Sequence, residues 1–166
     1  MHVAFFRNLN LGQRRSPTRQ QLVDAFVAEG ATDVLSHQGN GTVAFRAPLG
    51  GDPQAIADAV AGRLGPVCGW NDVVLVRPVE WLVSLGLDDQ PSGCELTLFD
   101  GPSSFPEALP WSPDAEVTVL RADHLHAIVL NHRERRSRGT PVVEARIERR
   151  ATSRGVGTVQ RLLARL

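Results

Sequence analysis

The chain contains no lysine and no tyrosine, has one methionine and two cysteines, and carries no excess of either charge. Its 18 basic residues are balanced by 18 acidic residues, which argues against a protein that coats nucleic acid or binds an anionic membrane. Cys68 and Cys94 are too few for a disulfide framework and lack zinc-ribbon spacing, so we expect free thiols. No apolar run approaches the roughly 18 residues that span a bilayer, and no charged leader precedes a long apolar stretch. We therefore expect a soluble cytoplasmic protein.

The charges are unevenly placed along the chain. Residues 81–120 hold seven acidic residues and no arginine, whereas residues 121–166 hold eleven arginines against four acidic residues. One interpretation is that the acidic middle and the basic end pair inside one molecule. The alternative is that the acidic middle of one chain meets the basic end of another, which would make the protein a homo-oligomer or an interaction module.

The first half has a regular order of apolar patterns and turn signals. Thr18 and Gln21 have the spacing of a capping box, Asp52 and Pro53 are typical of a helix start, and Gly65 with Pro66 indicates a helix end. The pattern predicts strands at 2–7, 33–38, 42–46 and 72–77, and helices at 18–29 and from 52 to 65. This order is β-α-β-β-α-β, that of the ferredoxin-like unit.

The second half is less regular. We predict a helix at 79–85, strands at 94–99, 116–121 and 125–130, and helices at 141–150 and 158–166. The proline-rich segment 101–113 should be irregular or a poor helix. Residues 73–76 are apolar on both faces of their strand, so we expect the second half to cover the first. The predicted fold is α+β: two packed ferredoxin-like (β-α-β-β-α-β) halves in one compact unit, residues 1–78 and 79–166.

The loop after the first strand is the best candidate for a binding site. It offers five polar side chains just before a helix N-terminus, a setting that suits a phosphate or carboxylate: Arg7, Asn8, Asn10, Arg14 and Arg15. The loop lacks both GxxxxGK[ST] and GxGxxG, so a nucleotide fingerprint is not supported. The alternative is a solvated loop in which the asparagines cap turns. Asn40, at the tip of the hairpin, is a further candidate ligand-binding residue. We expect this tip and the loop to lie at opposite ends of the sheet, so that they share one site only if the loop folds back or the second half bridges them.

Other chemistries find less support. His124 and His126 are spaced as a strand chelate but lack a third ligand at a recognisable spacing, and no nucleophile-elbow motif occurs. We therefore predict no metal, no cofactor and no catalytic residue. The basic segment 132–139 could contact nucleic-acid phosphates through Arg135, Arg136 and Arg138, but it has no aromatic partners for stacking. Glu134 and other nearby acidic residues could instead pair with these arginines.

Three segments resemble the family called domain of unknown function 1697. RNLNLG at 7–12 is similar to its RGINVGG-type opening, the helix and hairpin LVDAFVAEGATDVLSHQGNGTVAF fit without gaps, and RATSRGVGTVQRL resembles its ATTRNWNTV-type terminal signature. The resemblance implies two ferredoxin-like halves and no assigned reaction. Gly39 and Thr42 stand where the family tends to have amide side chains, and residues 154–157 read RGVG where it tends to read RNWN. The motif residues that persist are Arg7, Asn10, Gly12, Gly41 and Arg154, so Gly12 and Arg154 join the predicted ligand-binding set.

Overall fold

A computed structural model describes residues 1–133 and 136–166 and shows an α+β protein with two antiparallel sheets. Its internal contacts divide the chain into two units, Met1–Ser84 and Leu85–Leu166. None of the described helices is long and apolar enough to cross a membrane. The predicted packing of the second half on the first stays a prediction.

The first unit is a four-stranded sheet in the order β2-β3-β1-β4, and every neighbouring pair is antiparallel. Helices α1 and α2 pack against each other, and with the sheet they bury an aromatic cluster. In this cluster the rings of Phe26 and Phe45 are tilted against each other, and Phe6 meets Phe26 and Trp70 edge to face. The predicted β-α-β-β-α-β order is confirmed. The elements are β1 (His2–Phe6), α1 (Arg19–Ala28), β2 (Thr32–His37), β3 (Thr42–Arg46), α2 (Pro53–Cys68), β4 (Val74–Pro78) and α3 (Val79–Ser84).

The capping residues predicted for α1 and α2 are confirmed, whereas the predicted end of α2 is wrong. Thr18 and Gln21 form the reciprocal capping box, and the Asp52 side chain accepts a hydrogen bond from the backbone N–H of Gln54. Helix α2, however, continues through Pro66. It ends at Gly69, which adopts the left-handed φ of +74° and donates its backbone N–H to the Gly65 carbonyl.

The second unit is a five-stranded antiparallel sheet in the order β6-β7-β8-β5-β9. Helix α4 packs on β5, β8 and β9 over a core that contains Phe99, Val129 and Val143. The elements are β5 (Cys94–Phe99), β6 (Trp111–Asp114), β7 (Val117–Ala122), β8 (His126–Asn131), α4 (Gly139–Ile147), β9 (Ala151–Gly155) and α5 (Val156–Leu163).

Two strands of this unit contradict the sequence-based assignment. Residues 111–113, expected to be irregular or a poor helix, form the strand β6 together with Asp114 at the edge of the sheet. Pro113 is tolerated there because an edge strand has N–H groups that no neighbour needs. Residues 151–155 form β9 between the two predicted helices. The buried residues of β9 include Thr152 and Arg154, so the strand lacks the apolar alternation that sequence reasoning looks for.

The two sheets share a connection pattern. If β6 is set aside, the order β7-β8-β5-β9 repeats the order β2-β3-β1-β4 of the first unit. An irregular segment at 100–110 stands where the first unit has α1, and α4 corresponds to α2. In both units, two strands that run in the same direction therefore flank a third strand that runs in the opposite direction.

The loop after β1 and the β2–β3 turn lie at the same end of the first sheet, so the expectation of opposite ends is wrong. Strands β1 and β2 are both antiparallel to β3 and therefore point the same way. The backbone N–H of Phe6 donates to the Gly41 carbonyl at 2.9 Å. A Cβ at Gly41 would lie 2.8 Å from Cβ of Leu9 and 2.9 Å from Cβ of Phe6, closer than real side chains approach.

We expect Gly41→Ala to destabilise the protein more than Gly50→Ala. Both glycines have a left-handed φ, +66° and +76°, but a Cβ at Gly50 would meet nothing within 4 Å. The Gly50 variant should cost on the order of 1–2 kcal/mol from backbone strain alone. The Gly41 variant should cost about 1–3 kcal/mol more from overpacking. Denaturant unfolding measures the free energy of unfolding of both variants, provided that its dependence on denaturant concentration is the same in each. Equal losses of stability in the two variants would show that the close approach at Gly41 does not hold the turn.

Candidate functional site

The end of β1 is tied to the start of β4 through the carboxylate of Asp72. Arg7 Nη1 donates to Asp72 Oδ2 at 2.9 Å, and Asn8 Nδ2 donates to the same oxygen at 2.8 Å. The other oxygen, Oδ1, accepts from the backbone N–H of Val73 at 2.8 Å. The ionic side chains are 22% exposed at Arg7 and 11% exposed at Asp72. The positive charge of Arg7 is therefore balanced within the protein.

The loop between β1 and α1 is held by its own backbone. Gly12 N–H donates to the Pro17 carbonyl, Gln13 N–H to the Asn10 carbonyl, and Ser16 N–H to the Gln13 carbonyl, all within 3.1 Å. Three loop residues adopt left-handed φ values: Asn8, Gly12 and Arg15. The loop thus has a defined shape whose turns are closed by main-chain bonds, which leaves most of its polar side chains available.

The β2–β3 turn braces the loop from the side. Leu11 N–H donates to the Gly39 carbonyl at 2.8 Å. The guanidinium of Arg19, at the start of α1, donates to the carbonyls of Ser36 and Gln38 at 2.7 and 2.8 Å. The predicted site residue Asn40 accepts a hydrogen bond from the Thr42 hydroxyl through its side-chain oxygen.

A cavity of about 210 Å³ lies between the loop and the segment 69–72 that precedes β4. Among the predicted site residues, those that line it are Asn8, Asn10, Arg14 and Arg15. Arg7, Gly12 and Asn40 do not line this cavity. Sequence reasoning missed the opposite wall, which includes Trp70, Asn71 and Asp72. A signal for it existed, because a β4 antiparallel to β1 must begin where β1 ends.

Two arginines give the cavity its charge. The side chains of Arg14 and Arg15 are exposed and make no hydrogen bond or ion pair with the described residues. The Asp72 carboxylate on the opposite wall is already balanced by Arg7. Trp70 is 5% exposed, and its indole N–H donates to the Arg7 carbonyl at 3.0 Å, which fixes the wall to the strand end. The cavity as a whole is therefore electropositive.

Arg154, the remaining predicted site residue, is a buried residue of β9 in the second unit. Its guanidinium donates to the Thr152 hydroxyl at 3.0 Å and to the Ser153 carbonyl at 2.8 Å. Desolvation lowers the pKa of Arg154 to about 10, while the negative charge of Glu95 acts in the opposite direction. The side chain therefore stays protonated at neutral pH.

The acidic middle and the basic end of the chain pair within one molecule, as one of the two interpretations predicted. Arg138 lies 2.7 Å from Asp114, and Arg133 lies 3.0 Å from Glu116. Hydrogen bonding by the Glu116 backbone N–H and then by Arg138 lowers the pKa of the Asp114 carboxyl. A further pair joins Arg146 to Glu107 at 3.2 Å. The predicted phosphate contact Arg135 and the predicted pairing residue Glu134 lie outside the described residues.

The histidines take unrelated partners. His124 bonds to Asp123 in a turn, His126 is buried in β8, and His132 Nε2 lies 2.8 Å from the Thr118 hydroxyl. Among residues 1–133 and 136–166, no three His, Cys, Asp or Glu side chains gather in a way that could hold a metal ion.

The fold and the cavity define an α+β protein of two antiparallel sheets, with a cationic cavity at one end of the first. The chain belongs to the family described as protein of unknown function (DUF1697), whose match covers residues 1–92. No curated protein and no solved structure matches the chain. The matched span includes every residue that lines the cavity, whereas the terminal resemblance at 150–162 lies beyond it and stays a prediction.

We expect Asp72→Asn to destabilise the protein more than Asp33→Asn. The first variant removes a mostly buried charge that accepts three hydrogen bonds, which should cost about 1–3 kcal/mol. The second breaks the exposed pair between Asp33 and Arg46, whose side chains are 62% and 57% exposed, and should cost less than about 1 kcal/mol. Asparagine tolerates the left-handed φ of +51° at position 33. Unfolding midpoints test this, and similar losses would mean that Asp72 does not organise the strand ends.

Proposed function

We propose that the protein binds a small anionic ligand, a phosphate or carboxylate compound, in the cavity between the β1–α1 loop and residues 69–72. The proposal rests on two arginines, Arg14 and Arg15, which have no partner among the described residues and lie on a loop whose backbone is held by its own hydrogen bonds. A guanidinium has five N–H donors in a fixed plane and can bind two oxygens of an anion at once. Two of them on one wall suit a phosphate dianion.

The other loop residues have supporting roles in this proposal. Asn10 and Gln13 line the cavity with amides whose side chains have no partner among the described residues, so they can donate to further ligand oxygens. Arg7 and Asn8 act indirectly, because their bonds to Asp72 hold the two walls together. A site that is organised before binding loses less entropy when the ligand arrives.

Two alternative functions receive less support. A homo-oligomer built on acidic-to-basic pairing would need charges that Arg133, Arg138 and Arg146 already share with acidic residues of their own chain. The same pairs reduce the positive charge that a nucleic-acid surface would present. Both remain hypotheses, and neither has an observation in its favour that matches two arginines without a partner in the described part of the chain.

We also propose that both units are ferredoxin-like and that the protein is cytoplasmic. The strand order of the first unit, and the same order in the second with a loop in place of one helix, support two ferredoxin-like halves. Cys68 and Cys94 are both free thiols, which fits a reducing compartment such as the cytoplasm.

We expect the double variant Arg14→Gln/Arg15→Gln to lose anion binding. Inorganic phosphate and citrate should each raise the melting temperature of the wild-type protein in a saturable manner at low salt. Losing two charge-assisted contacts, each contributing about 1.5–3 kcal/mol, should weaken binding at least a hundredfold in the double variant. Both side chains are exposed, so the fold should persist.

The matched control is Arg46→Gln, which also removes an exposed positive charge of the first unit but lies outside the cavity. It should bind phosphate as the wild type does. Equal binding by the double variant and the control would contradict the assignment of the site to Arg14 and Arg15. Absence of any saturable shift in the wild type with both anions would contradict the proposed function itself.

A further inference from the structure

A second cavity adjoins the first. Its volume is about 410 Å³, and it runs along α2 past Gly62 and Gly65. The two cavities share the whole segment from Gly69 to Asp72. A ligand held at Arg14 and Arg15 can therefore extend over this segment without leaving the surface of the first unit.

The volumes of the two cavities indicate which part of the ligand each of them can hold. At about 210 Å³, the arginine-lined cavity is smaller than the range of about 300–1,000 Å³ that is usual for small-molecule sites. The adjoining cavity falls within that range. The first is thus suited to the anionic group alone, while the second has room for a further part of the same molecule.

The lining of the second cavity favours a neutral and strongly polar group. Its one ionised side chain, Asp72, is balanced by Arg7. Asn71 is exposed, and its amide has no partner among the described residues, so it can both donate to and accept from a hydroxyl group. Trp70 is 5% exposed, which leaves too little ring area for a nucleobase to stack on. A sugar fits this lining better than a base or a second anion.

We propose that the ligand is a phosphorylated sugar, with its phosphate at Arg14 and Arg15 and its hydroxyl-bearing ring in the cavity along α2, bonded by Asn71. This inference rests on the proposed function, because it requires the anion site. It specifies the class of the ligand, and it assigns the second cavity to the sugar ring, a part of the ligand that simple anions lack.

The test compares inorganic phosphate with ribose 5-phosphate and glucose 6-phosphate by calorimetric titration. At least one of the sugar phosphates should bind the wild-type protein about tenfold more tightly than phosphate, since one or two additional hydrogen bonds of ordinary strength supply that factor. Gly62→Leu should remove this preference by filling the second cavity, and it should leave phosphate binding unchanged. A Cβ at Gly62 would meet nothing within 4 Å. Residue 62 lies within α2, and leucine has a higher helix propensity than glycine, so the variant should fold.

Two further variants keep the result interpretable. Gly62→Ala makes the same backbone change with little bulk and should retain the preference. Asn71 lines both cavities, so Asn71→Ala should weaken binding of the sugar phosphate by a larger factor than binding of inorganic phosphate and thereby reduce the preference.

The possible outcomes separate the two proposals. A preference that is lost in both Gly62→Leu and Asn71→Ala supports the phosphorylated sugar. Phosphate binding with no gain from the sugar, or a gain that both variants retain, overturns this inference and leaves the anion site in place. Failure of every anion to bind the wild type overturns the proposed function and this inference together.

Discussion

The antiparallel pairing of β1 with both of its neighbours determines where the polar groups of the first unit lie. Because β3 opposes both β1 and β2, the loop after β1 and the turn after β2 emerge at one end of the sheet. Because β4 also opposes β1, the residues that precede β4 arrive at that same end. The cavity is therefore a consequence of strand order, and its walls come from segments as far apart in sequence as Asn8 and Asp72.

Charge pairing then separates structural arginines from available ones. Arg7 is mostly buried, and a buried guanidinium without a counter-ion would carry a large desolvation penalty, so Asp72 must accompany it. The side chains of Arg14 and Arg15 are exposed to solvent, where a charge without an ion-pair partner reduces the stability of the fold very little. Burial thus decides which arginines of the loop can serve a ligand, a distinction that the loop's residue types alone do not reveal. Arg154, enclosed in the second unit, belongs with the structural group.

Local signals explain why the first unit was predictable and the second less so. Thr18 with Gln21, and Asp52, act within one helical turn and can be recognised without knowing the fold. The strand β9 is stabilised by its register against β5 and buries Thr152 and Arg154, so nothing in its own residues distinguishes it from a loop. Gly65 and Gly69 are both residues at which a helix could end, and the path of the chain that follows them determines which one becomes the C-cap.

The candidate site divides in the same way. The loop, with its arginines and asparagines, could be chosen as a candidate from the sequence, because it places several polar side chains between a strand and a helix start. Its opposite wall follows from the predicted element order once the direction of each strand is drawn correctly. The wrong expectation that the loop and the hairpin lie at opposite ends gives β1 and β2 opposite directions, whereas both are antiparallel to β3 and run the same way. Strand direction, not motif content, brings Asp72 within 2.9 Å of Arg7, because β4 is antiparallel to β1 and begins where β1 ends.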